Sequence, residues 1–298
     1  MNHLHLAGFA LALSLAAPVF PKPAVYEAGA LHVEQRGTGP AIIFIPGLAS
    51  GSWAWADTAQ RLEKDHTVYL LTLPGFDGRA AVAGITLDML VTDLSKLIES
   101  KKIAHPVLVG HSLGGTLSLK FATVHSAQIA GVVAVDGLPV FPGTEGQTGD
   151  RTKLADGMRA QLGGMTREQF AASQQGYMRQ IGSIDPAIAD KLAAQSSRSD
   201  IGATADLAAQ VVALDLRANL GDIKVPVVEI SPFNAPDFAQ MGVDEERKTG
   251  YYRMLLTGVA QLEVVSISPA RHFVMFDQPE KFAVALDAAL SRLTKTDK

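Results

Sequence analysis

Residues 106–115 read Pro106-Val107-Leu108-Val109-Gly110-His111-Ser112-Leu113-Gly114-Gly115, and a helix-like stretch, Thr116-Leu117-Ser118-Leu119-Lys120-Phe121-Ala122, follows at once. An apolar run enters a Gly-x-Ser-x-Gly pattern and a helix leaves it. Strand, serine and helix in that order give the short pattern a mechanism. A sharp strand-to-helix turn crowds the serine backbone, so the positions two before and two after must be small. The same turn lifts the hydroxyl over the sheet edge, beside the N–H groups of the helix start. Without the flanking elements the pattern would be a glycine-rich turn that happens to hold a serine.

Outward from this stretch the chain alternates strand and helix. Ala41-Ile42-Ile43-Phe44-Ile45 is apolar throughout, as strands buried on both faces of a parallel sheet are. Val68-Tyr69-Leu70-Leu71-Thr72-Leu73 is the next strand, closed by Pro74-Gly75, and residues 53–64 between the two have helical spacing. Residues 87–99 form an amphipathic helix with Leu87, Leu90, Val91, Leu94, Leu97 and Ile98 on one stripe. Val132-Val133-Ala134-Val135 ends at Asp136. Two later strands are read at residues 225–230 and 262–267, and a last helix from near Pro279. Residues 25–36 suggest an opening hairpin. The order predicts an α/β fold with a doubly wound, mostly parallel sheet and right-handed crossovers. The interval 138–222 breaks the alternation, with helical segments at 167–180, 186–195 and 204–219 and no convincing strand. It is expected to be a helical cap inserted over the sheet edge, leaving 24–137 and 223–298 as the core.

Composition narrows the function. A chain of 298 residues, 47% hydrophobic, suits one large core with an insertion. A formal net charge of −4 provides no basic footprint for nucleic acid. There is no cysteine, which excludes thiolate chemistry and disulfides. No His-Glu-x-x-His spacing and no Gly-x-Gly-x-x-Gly fingerprint is present, so neither metal nor cofactor is expected. Residues 1–23 read as a signal peptide and linker. An apolar run at 6–19, interrupted by Ser14, is too short to span a bilayer, and Pro18, Pro21 and Pro23 follow it. It lacks Lys or Arg before the apolar core. The expectation is export to the periplasm or beyond, without stable membrane insertion.

Three matches, Ile45-Pro46-Gly47-Leu48, the elbow at Ser112, and Ala270-Arg271-His272-Phe273 after the last strand, make the chain resemble the α/β-hydrolase family. Leu73-Pro74-Gly75-Phe76-Asp77-Gly78 is similar to the family's D-x-P-G-x-G turn, with Thr72 where aspartate is common. The resemblance covers nearly all of the chain beyond the leader and implies the fold and a serine-hydrolase mechanism. It makes Ser112 the nucleophile and His272 the base, in the family's chain order of serine first and histidine last. The oxyanion hole falls to the backbone N–H groups of Leu48 and Leu113. The acid is open between two aspartates. The family's usual loop reads here Ser231-Pro232-Phe233-Asn234-Ala235-Pro236-Asp237, without glycine and with its acid displaced. Asp136, ending the strand after the nucleophile helix, is the better loop match. Asp277 is expected to cap the last helix.

Other candidates read as scaffold. His111 is expected to pack beside the nucleophile, and His32, His66, His105 and His125 to be surface or core residues. Trp53 and Trp55 are expected to pack on the following helix, though Trp53 could line a pocket. Met158, Met165, Met178, Phe170 and Tyr177 suggest an apolar, adaptable lining of the cap, or else cap-to-core packing. A serine at the elbow disfavours mechanisms that need a carboxylate nucleophile. The reaction expected first is hydrolysis of a small, apolar carboxylic ester. Cleavage of C–C bonds, lactones or amides, and perhydrolysis, use the same apparatus, and a binding protein on this scaffold is the alternative from a different class.

Overall fold

The apolar runs pair into one eight-stranded sheet in the computed structural model, which describes residues 23–147 and 150–294. The strands are β1 (Ala24–Ala28), β2 (Leu31–Gly37), β3 (Ala41–Ile45), β4 (Thr67–Thr72), β5 (Val107–His111), β6 (Gly131–Val135), β7 (Val227–Pro232) and β8 (Leu262–Ile267). Their spatial order is β1-β2-β4-β3-β5-β6-β7-β8. β1 and β2 form the antiparallel hairpin, β2 pairs antiparallel with β4, and every other pairing is parallel. The leader expected at residues 1–23 lies, but for Pro23, outside the described residues.

Helices cover both faces because each strand presents apolar side chains alternately up and down. Val227 joins one core with Leu90, Leu94, Leu117 and Leu108, while Val228 and Ile230 join the other with Phe44, Trp55, Phe282 and Leu286. The crossover helices of the first half are α1 (Ala56–Leu62), α2 (Leu87–Ser100) and α3 (Leu113–His125). α2 carries the six-residue stripe read from the sequence, and the Thr86 side chain caps it by accepting the Met89 N–H.

The interval after β6 is helical, as its composition predicts, but its segments differ from the periodicity. α4 (Thr152–Gly163) was not foreseen, because only Ala155 of its residues is buried and the apolar stripe is faint. α5 (Arg167–Tyr177) starts at a Thr166 capping box and passes directly into a π-helical turn at Met178–Gly182, so the helical segment expected to 180 is present with a π-helical end. α6 (Pro186–Ser196) follows. α7 (Ile201–Ala213) begins before the expected 204, where Asp200 accepts the Ala203 N–H. After β7 come α8 (Ala235–Phe238) and α9 (Glu245–Leu255), and after β8 α10 (Val274–Asp277) and α11 (Pro279–Leu293). α9 also escapes periodicity, since it buries only Thr249, Tyr252 and Leu255. Among the described residues no helix is long and apolar enough to cross a membrane.

Candidate active site

The turn from β5 to α3 holds Ser112 at φ 53 and ψ −119, a backbone conformation that costs a non-glycine residue energy. The strain is kept because the surroundings allow nothing else. A Cβ on Gly110 would stand 2.1 Å from the Gly114 carbonyl oxygen, and one on Gly114 would stand 2.2 Å from that of Ile45. The Ser112 N–H is tied to the Val135 carbonyl at 2.9 Å. The loop after β3 is pressed against this elbow, and Leu48, Ser112 and Leu113 line one cavity. Neither the Leu48 nor the Leu113 N–H donates to an acceptor among the described residues.

His272 stands on the turn between β8 and α10, and its Nδ1 lies 2.6 Å from Asp136 Oδ2. Asp136 itself ends β6 at φ 50, and its other carboxylate oxygen accepts the Tyr252 hydroxyl from α9. Lys248, one turn earlier on α9, donates to the Pro232 carbonyl and rests 5.3 Å from the Phe238 ring and 5.2 Å from the Tyr252 ring. Burial alone would raise the Asp136 carboxyl. The charge and hydrogen bond of His272, with Lys248 and Tyr252, overcome that and hold it well below the usual carboxylate range.

Asp237 is placed elsewhere. Both its oxygens are taken by the Arg271 guanidinium, at 2.7 and 2.6 Å, in a fork-to-fork pair. The structure therefore brings Ser112, His272 and Asp136 to one place and keeps Asp237 engaged with a cation beside it.

Asp277 does not cap the last helix, contrary to expectation. It closes α10 and turns back, accepting the Arg271 N–H at 2.8 Å, the Ile184 N–H at 3.1 Å and the Ser183 hydroxyl. Pro279, in the first turn of α11, needs no donor satisfied there, and Gln278 makes no side-chain cap.

His111 does more than pack. It is fully buried, and its Nε2 lies 3.0 Å from the His272 carbonyl oxygen. A carbonyl only accepts, so Nε2 carries the proton. Burial, then the neighbouring His272, brings the His111 ring down to about 3, so it is neutral at ordinary pH. The residue next to the elbow thus fastens the backbone that carries His272. Its position beside Ser112 was the signal; its partner was not readable from sequence.

The cavity above Ser112 has a volume of about 350 Å³. Met158, Leu162, Met165, Met178, Val211 and Val212 are among its apolar lining, and Gln161, Gln174, Ser173 and Thr204 add polar groups beside those of the floor. Among the described residues no Asp, Glu, Lys or Arg lines it. Tyr177 lines it too and meets the His272 ring edge-on at 6.1 Å. Of the two readings open for Phe170, lining or packing, the structure takes packing, since it is buried and does not line the cavity. Trp53 stacks on Phe273 at 6.4 Å and Trp55 packs between Phe44 and Phe282, both as scaffold. No group of three or more His, Asp or Glu among the described residues is arranged to hold a metal ion.

A strained serine at a strand-to-helix elbow, at the C-terminal edge of such a sheet and beneath inserted helices, defines a class. Residues 42–285 match the Alpha/beta hydrolase family, and the chain belongs to it. Among curated proteins it is 27% identical over 150 residues to a pimeloyl-[acyl-carrier protein] methyl ester esterase of Aeromonas hydrophila, covering 48% of this chain and 57% of that one. The same enzyme of Vibrio vulnificus is 26% identical over 147 residues, covering 48% and 56%. The match thus spans little more than half the length of these relatives. Among solved structures, a hydrolase from Pseudomonas aeruginosa superposes with TM-score 0.73 at 18% identity, over 90% of this chain and 98% of that one. The enol-lactonase of Burkholderia xenovorans follows with 0.71 at 18%, over 90% and 100%. A thermophilic esterase from Thermogutta terrifontis gives 0.69 at 20%, over 92% and 100%.

Proposed function

We propose that this protein hydrolyses carboxylic esters through Ser112, His272 and Asp136. The observation that carries the reading is the 2.6 Å contact from His272 Nδ1 to Asp136, with Ser112 and His272 on one cavity wall. In this reading Asp136 fixes the tautomer in which Nδ1 holds a proton and Nε2 is free to act as base. Nε2 takes the Ser112 hydroxyl proton as the oxygen attacks the ester carbonyl. The tetrahedral oxyanion is met by the Leu48 and Leu113 N–H groups, both uncommitted. The imidazolium, held against Asp136, then returns the proton to the leaving alcohol, and an acyl-enzyme remains. Water repeats the sequence and releases the acid. The Ser112 hydroxyl makes no hydrogen bond to a described residue in this state, and such contacts commonly tighten only with substrate bound.

The lining supports a neutral, apolar acyl group. An ionised chain would leave its charge in a wall without a cation to pair it. The methyl ester esterase activity of the curated relatives is consistent with ester chemistry here, and the methionine-rich wall allows acyl chains of varied shape.

The test is a fluorophosphonate label combined with p-nitrophenyl esters of increasing acyl length. The wild type should label and turn over the esters. Ser112→Ala should lose labelling and about 10⁴-fold or more in rate with its circular dichroism unchanged. A folded Ser112→Ala variant with near-normal turnover would refute the reading.

A further inference from the structure

Glu229 is a glutamate in the middle of a parallel sheet, wholly buried on β7 between Ala134 of β6 and Val264 of β8. Nothing in the proposed chemistry uses it. Its Oε1 accepts the Gly137 N–H at 3.3 Å, and its Oε2 has no partner among the described residues. The Asp136 N–H donates to the neighbouring Ile230 carbonyl at 3.0 Å, so two successive N–H groups of the Asp136-Gly137 turn are tied to β7. The turn has little freedom to find other acceptors. Asp136 sits at φ 50, and a Cβ on Gly137 would stand 2.5 Å from Gly115 Cα.

We propose that Glu229 is a positioning residue, buried without charge beneath the Asp136-Gly137 turn, which anchors that turn and leaves the only negative charge there to Asp136. The groups facing it are few. The turn after β6 presents Asp136, α9 presents Tyr252 and Lys248, a lysine that also faces Asp237, and Val264 of β8 lies opposite Glu229 in register. Asp136 already holds His272 and the Tyr252 hydroxyl, whereas Glu229 meets only backbone N–H groups of the Asp136-Gly137 turn, that of Gly137 at 3.3 Å. Asp136 is held by His272, and Lys248 is shared with Asp136 and Asp237, so of the two buried carboxylates the better-partnered Asp136 keeps the charge. Burial first, then the Asp136 charge, accordingly pushes the Glu229 carboxyl well above its usual range. Its neutral form still offers an acceptor oxygen to Gly137, as a glutamine would.

A carboxyl with a raised value in the fold makes a stability signature of unusual sign. Above its ordinary value the unfolded chain releases the proton while the folded chain keeps it. The folded state then binds more protons, and stability falls as pH rises toward the folded value. Glu229→Gln removes this penalty and keeps the acceptor. Its melting temperature should exceed that of the wild type by a margin that widens from about pH 5 to about pH 8. Infrared spectra at neutral pH should show a protonated-carboxyl stretch in the wild type that Glu229→Gln lacks. The activity arm, which rests on the proposed hydrolase reading, compares two variants. Glu229→Gln should keep kcat within about threefold, while Glu229→Leu, which orphans the Gly137 N–H, should lose about tenfold or more in kcat with KM little changed.

A margin constant with pH, or a Glu229→Gln variant that loses ground as pH rises, would overturn the proposal in favour of an ionised Glu229 paired with Lys248. Equal kcat losses in the two variants would do the same. The melting and infrared arms need only folded protein and decide the question if Glu229→Leu does not fold. They also decide it if the wild type turns over no ester, which would instead count against the hydrolase reading.

Discussion

Asp136 and Asp237 follow adjacent strands, β6 and β7, and what separates them is the partner each finds. Asp237 sits in the short α8, where the Arg271 guanidinium neutralises it through two hydrogen bonds. Asp136 leaves β6 in a left-handed turn that aims its carboxylate at His272. In the proposed mechanism, replacing Asp136 with asparagine leaves Ser112 and the Leu48 and Leu113 N–H groups in place but removes the imidazolium's counter-charge and the tautomer control. We expect kcat to fall by about 10³ to 10⁴ in Asp136→Asn and by less than about tenfold in Asp237→Asn. Steady-state kinetics on folded variants checks this, and a larger loss in Asp237→Asn would move the acid to the β7 loop.

The π-helical turn that ends α5 is the element that joins the insertion to the His272 loop. The Ile181 carbonyl accepts the His272 N–H at 3.0 Å, and that of Gly182 accepts the Phe273 N–H at 2.8 Å. Arg271 reaches the Arg179 and Ser183 carbonyls from below, and Asp277 holds Ser183, Ile184 and Arg271 together. The helical segment expected to residue 180 is thus present, but its last turn is π-helical, and the carbonyls of Ile181 and Gly182 are left for the His272 loop. Asp277→Ala orphans three donors at this seam and should cost about 1–3 kcal/mol in urea unfolding. Because His272 hangs from the same seam, kcat should drop about tenfold while fluorophosphonate labelling slows in parallel. Normal kinetics in a destabilised variant would make the seam purely structural.

At the scale of the whole molecule, the cavity above Ser112 sits where two layers meet, the sheet edge below and the inserted helices above. The floor comes from the loops after β3, β5 and β8, and the walls come from α4, α5 and α7. In the proposed reading this division would separate reaction from selection, with wall residues meeting the acyl group and floor residues the reacting atoms. Ala208 of α7 lines the cavity with a small side chain. Ala208→Phe should shorten the longest acyl chain hydrolysed in the p-nitrophenyl series, raising KM for long esters while leaving short ones within about threefold. An unchanged length profile would place the acyl group elsewhere than against α7.

What the sequence determined by itself is what local spacing encodes. The elbow at Ser112, the buried strands, the six-residue stripe of α2 and the order of strand and helix are short-range patterns, because backbone sterics and side-chain periodicity act between residues a few positions apart. α4 and α9 escaped that reading because each buries too few residues to print a stripe. Glu229 left a trace, a lone charge in the apolar run Val225 to Ile230, but nothing local says what a buried carboxyl answers to. Only the tertiary structure decided the partners. His272 and Asp136 are 136 residues apart, Tyr252 and Asp136 116, and Gly137 and Glu229 92. Hydrogen bonds and charges act over a few ångströms of space, and no interval along the chain fixes which side chains the packing of β6, β7 and α9 will bring within that reach.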